Sequence, residues 1–80
     1  MKLSQKRNSI NNRILTAKKS LEKLYSKLEE VMLEAEEYRG EFSSDGEYGK
    51  QADKTVYNLD NALNAVEEAI EHLKESFLID

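Results

Sequence analysis

The 80-residue chain has no cysteine, no proline and no tryptophan, and only three glycines and one histidine. Without cysteine there is no disulfide framework and no thiolate metal site. Without proline nothing interrupts a long helix from within. No apolar run exceeds three residues, as in Phe77-Leu78-Ile79, and a membrane-spanning helix needs about 20. The first lysines are followed by no apolar block, so the start does not read as a secretory signal. A lone histidine, with no glycine-rich phosphate loop and no EF-hand spacing, leaves catalysis and metal binding without their usual residues. The expectation is a non-enzyme with no cofactor and no metal. Its default location is the cytoplasm, with signal-independent export left open.

What the chain does have is an apolar repeat stepping by three and four residues in both halves. In heptad letters, the first half places Ile14, Leu21, Leu28, Ala35 and Phe42 at a. It places Leu3, Ile10, Ala17, Leu24, Val31 and Tyr38 at d, and only Arg7, at a, breaks the pattern. The second half places Val56, Leu63, Ile70 and Phe77 at a, and Ala52, Leu59, Val66 and Leu73 at d. A 3.5-residue period keeps a seam on one side of a helix, as coiled-coil packing requires. The stripe is wider than this seam. The first half adds Tyr25 and Met32 at e, and the second adds Ala62 and Ala69 at g. A wide stripe suits a helix with two neighbours, and small residues at 62 and 69 would let another helix come close.

All three glycines lie between Gly40 and Gly49. Gly40 fits a helix stop, and Ser43-Ser44-Asp45-Gly46 is turn chemistry. The pattern predicts one helical-hairpin domain over residues 1–80. Its first helix covers about 4–39, its loop 40–49 and its second helix about 50–78. Ser4 or Ser9 could cap the start. The connection is short, so the helices run antiparallel. A small core of this kind leaves no more than about 3–5 kcal/mol of net stability. The fold class is therefore all-α: an antiparallel hairpin completed to a four-helix bundle by a second copy or a helical partner.

Charge is segregated. Residues 1–27 carry a net +7, residues 28–54 a net −6 and residues 55–80 a net −5. An antiparallel hairpin brings Lys18, Lys19, Lys23 and Lys27 toward Glu67, Glu68, Glu71 and Glu75, which selects orientation more than it stabilises. Around the turn Glu29, Glu30, Glu36, Glu37 and Glu41 lack matching bases and form an acidic tip. This tip is either a dock for a basic partner or a solvated face. His72 lies within helical reach of Glu68 and Glu75, but it reads as a surface histidine. The basic first segment could meet nucleic acid, yet a pI near 5.0 weighs against a dedicated binder.

The candidate partner interface therefore comprises Ile10, Ile14, Leu21, Leu24, Tyr25, Leu28, Val31, Met32 and Tyr38 from the first helix. The second contributes Val56, Leu59, Ala62, Leu63, Val66, Ala69, Ile70, Leu73 and Phe77, and Leu78 and Ile79 extend it to the end of the chain. Leu24→Glu, at the centre of the seam, is expected to abolish folding or association.

Tyr38-Arg39-Gly40 at the turn, together with two long helices, resembles the WXG-type helical hairpins of type VII secretion and the small helical partners of their toxins. Tyrosine stands where that family has tryptophan. Phe77 precedes Asp80 by three residues, where the family's export signal has four. The resemblance implies pairing with a toxin's helical targeting region or a sister hairpin. Two other expectations stand beside that adaptor role. One is an inhibitor (an immunity protein, antitoxin or phage counter-defence factor) acting through the acidic tip. The other is a homodimeric RNA-binding hairpin.

Overall fold

The structure, a computed structural model, describes residues 2–43 and 45–79. Two helices, α1 (Leu3–Arg39) and α2 (Glu47–Lys74), pack side by side in a rod 62 Å long and 15 Å across. The helices are antiparallel. Arg39 near the end of α1 meets Asp53 near the start of α2, and Asn11 near the start of α1 meets Leu78 beyond the end of α2. No strand occurs among the described residues.

α1 begins without the expected cap. Lys2 is its N-cap and makes no side-chain capping bond, and Ser4 and Ser9 lie inside the helix. Its end is also unlike the left-handed stop that a glycine suggests. Gly40 is right-handed, at φ −64° and ψ −16°. The chain winds on through Glu41 N–H to Tyr38 C=O and Phe42 N–H to Arg39 C=O, at 3.1 and 3.2 Å. The glycine's special freedom is therefore unused. A Cβ here would sit 3.3 Å from the Glu37 carbonyl oxygen, a spacing set by the helix-like turn itself. Gly40→Ala is expected to raise stability by about 0.5 kcal/mol by restricting the unfolded chain, seen as a higher Tm by circular dichroism.

α2 starts three residues earlier and stops four residues earlier than its periodicity suggests. At the start, Gly46 is extended and Glu47 lies in the first turn, where a carboxylate favours the helix dipole. Gly49 then takes an a position and is buried, so the seam gains a step. At the end, Asn11 replaces the helical bonds of the last turn. Its amide donates to the Leu78 carbonyl at 2.9 Å and its carbonyl oxygen accepts from the Leu78 N–H at 2.8 Å. The Ser76 hydroxyl donates to the His72 carbonyl at 2.6 Å. The tail 76–79 thus leaves the helix and lies on α1, with Phe77 half-buried. Asn11→Ala is expected to release this tail at a cost of about 1 kcal/mol, with faster hydrogen exchange at the Leu78 amide and unchanged helicity.

The core is thin. Its buried apolar side chains are Ala52, Val56 and Leu63, all from α2. α1, with 37 residues, has no buried residue. Three rings close the turn end, with Tyr38–Phe42 centroids 4.8 Å apart and Phe42–Tyr48 centroids 5.8 Å apart.

Candidate interaction surface

The seam divides within α1. The residues shielded from solvent are Arg7, Asn11, Ile14, Lys18, Leu21, Tyr25, Leu28, Met32, Ala35 and Arg39. These are the a and e rows. α2 shields a different set, rows a and d together with Ala62 and Ala69 at g. The d row of α1 is left outside. Leu24 is 43% exposed, Val31 46% and Tyr38 55%, and Ile10 and Leu3 are also open. Of the predicted interface, Ile14, Leu21, Tyr25, Leu28 and Met32 face α2, whereas Ile10, Leu24, Val31 and Tyr38 do not. In α2, Val56 and Leu63 are buried and Leu59, Ala62, Val66, Ala69, Ile70 and Leu73 are half-buried, while Leu78 and Ile79 in the tail are exposed.

The two sides of the hairpin differ because the e rows meet on one of them. There Arg39 Nε lies 3.7 Å from an Asp53 carboxylate oxygen, and the Tyr25 hydroxyl donates to Glu67 at 3.5 Å. Both contacts join residues at e, in one register. Desolvation between the helices, and then the charges of Glu67, Glu29 and Asp60, raise the Tyr25 phenol above its ordinary value. The phenol therefore stays a neutral donor to Glu67 through the neutral pH range.

On the other side, among the described residues, no ion pair or side-chain hydrogen bond joins the d row of α1 to α2. The d row of α1 lies there beside rows g and c of α2. Those two rows hold Tyr48, Thr55, Ala62 and Ala69, then Gln51, Asn58, Ala65 and His72. None is a Lys, Arg, Asp or Glu. Every Lys, Asp and Glu of α2 lies on rows e, b and f. Charge depletion of this kind marks the centre of protein interfaces. At the turn end of this face a cavity of about 230 Å³ opens between Ala35, Tyr38, Tyr48, Gln51, Ala52 and Thr55. Around the rim of α1 a shallower groove of about 490 Å³ is lined by Glu34, Glu37 and Glu41 over Tyr38 and Phe42.

The acidic tip residues Glu29, Glu30, Glu36, Glu37 and Glu41 are all exposed. The expected ladder of lysines on glutamates is absent among the described residues. Lys18 pairs with Glu22 on its own helix at 3.1 Å, and Glu71 with Lys74 at 3.5 Å. Lys19, Lys23 and Lys27 fall on rows f, c and g, which point away from the α2 seam, and Glu68, Glu71 and Glu75 fall on outward rows f and b. The segregated charge is thus not consumed within the hairpin. His72 is exposed, and no group of three His, Asp or Glu side chains is placed to share a cation among the described residues. No helix among them is long and apolar enough to cross a membrane. The Tyr38 and Gly40 pair lies at the end of α1 as expected, whereas the Phe77–Asp80 spacing runs outside the described residues.

No known protein family, curated protein or solved structure matches this chain. The functional reading therefore rests on the split seam and its uncharged neighbour. Sequence periodicity missed the split because a and d look equally apolar. The signal that pointed to it was the extra width at Tyr25 and Met32, which supplies α1 with a second way to face α2.

Proposed function

We propose that this chain is a non-catalytic helical interaction module whose open face, built on Leu24 and Val31, packs against another helical chain. Its specific form is a small adaptor or secretion partner of the WXG type, laid on a helical region such as a toxin's targeting segment. One observation carries the reading. A 37-residue helix buries none of its residues, although its d row is apolar from end to end. Burying each large apolar side chain contributes about 1.5–3 kcal/mol, so a partner covering that row supplies the stability the hairpin core lacks.

A second reading has its own observation. The groove of Glu34, Glu37 and Glu41 with an aromatic floor suits a basic side chain of a protein that the chain would inhibit.

Affinity capture with the tagged chain separates the two. Binding that is lost with Leu24→Glu/Val31→Glu, but kept when Glu29, Glu30, Glu36 and Glu37 are changed to Lys, supports the adaptor reading. Loss confined to the tip variant supports the inhibitor instead. Binding that neither variant alters rejects both, as does a chain that captures neither another protein nor a second copy of itself.

A further inference from the structure

We propose that the open stripe of α1 is covered by a second copy of this chain, with the two α1 helices antiparallel and the two-fold axis at Leu24. This rests on the docking reading above, that Leu24 and Val31 form an interface, and names a second copy as the occupant of that face in place of a toxin segment.

Charge supports the choice first. The sequence changes sign between Lys27 and Glu29, within about one turn of Leu24. An antiparallel copy therefore lays each basic half on the other's acidic half, whereas a parallel copy would lay like on like, which interfaces avoid.

Register supports it next. With the axis at Leu24, Ile10 comes level with Tyr38 of the second copy and Ala17 with its Val31, so the d rows pair without a gap. On the adjoining g row, Arg13 meets Glu34 of the second copy and Lys6 meets its Glu41, offset by about one residue rise of ~1.5 Å. All four charged residues are exposed. Within the chain none of them forms an ion pair among the described residues. Two of them, Glu34 and Glu41, line the acidic groove beside Tyr38. The incoming Lys6 and Arg13 thus reach carboxylates that the hairpin leaves unpaired.

The second helices fit the same axis. Arg39 facing Asp53 and Tyr25 facing Glu67 set a register in which position 68 is level with Leu24. Ala69 is then the g-row residue nearest the axis, and its small side chain lets the two α2 helices come close. A face 62 Å long and 15 Å wide offers on the order of 900 Å², comparable to the ~800 Å² per partner of a stable interface.

The chain has no cysteine, so single-cysteine variants report the geometry directly. Leu24→Cys is expected to form a disulfide with itself across the axis. Ile10→Cys and Tyr38→Cys are each expected to stay reduced alone and to cross-link when mixed. Self-linkage of Ile10→Cys, or no linkage at any position, overturns the arrangement. Charge reversal gives a second readout. Lys6→Glu/Arg13→Glu is expected to weaken association at least ~10-fold. Adding Glu34→Lys/Glu41→Lys in the same chain is expected to restore it, and failure to recover rejects the register. A monomer that still captures another protein through Leu24 and Val31 removes the second copy and leaves the docking reading standing. A monomer that captures nothing removes both.

Discussion

Leu24→Glu is expected to leave the chain as helical as before and, if the proposed second copy covers the open stripe, to raise the concentration at which the chain associates by at least ~100-fold. Leu24 is 43% exposed on a helix with no buried residue, so a carboxylate there stays in water and the hairpin tolerates it. Association is another matter. Each copy forfeits burial of the exposed 43% of its leucine, a fraction of the about 1.5–3 kcal/mol for full burial, and two carboxylates are forced together and stripped of water at the axis, which costs several kcal/mol more. Since 1.4 kcal/mol is a factor of ten in affinity, the combined loss exceeds two decades. The sequence alone could not divide folding from association at this position. The structure does so, because the d row of α1 faces away from α2. Sedimentation velocity with far-ultraviolet circular dichroism on the same samples checks both halves of the result. A variant that loses its helicity as a dilute monomer would place Leu24 in the hairpin core instead.

Leu63→Ala has the opposite signature. Leu63 is 9% exposed and is the largest of the three buried apolar side chains. Removing its buried methyl groups costs about 2–5 kcal/mol, against a net stability of no more than about 3–5 kcal/mol for a core of this size. The variant is expected to lose most of its helical signal at 37 °C, with association falling as a consequence. Urea titration followed at 222 nm measures it. A midpoint unchanged from the parent chain would mean that the seam formed by Val56 and Leu63 does not hold the hairpin together.

Much of the architecture was legible in the sequence, for physical reasons. Period 3.5 announces helices, and Asp45-Gly46 between the two runs announces a turn. Opposite charges at the two ends favour antiparallel pairing. The remainder depends on geometry that spacing does not encode. Whether a or d faces the neighbouring helix depends on how far each helix rotates, and Asn11, Tyr25 and Arg39 at e decide this by bonding across to the α2 side. The end of α2 depends on Asn11, 67 residues away from Leu78 in sequence, and no local signal marks that pair. Among the described residues the lysine–glutamate ladder is absent because Lys19, Lys23 and Lys27 lie on rows f, c and g, away from α2, and Lys18, on the inward e row, pairs with Glu22 of its own helix. The open face itself was half visible. The small residues Ala62 and Ala69 suggested close approach, but the c row of Gln51, Asn58, Ala65 and His72, without Lys, Arg, Asp or Glu, becomes meaningful only once α1 leaves its d row beside it.

Pairing of the open stripe with a second copy is tested most directly by solution mass from light scattering across a dilution series, with circular dichroism on the same samples. The expected result is a helical species of twice the 9.2 kDa chain mass that dissociates on dilution and loses thermal stability as it does so. A single 9.2 kDa species, equally helical and melting at the same temperature at every concentration, would contradict it.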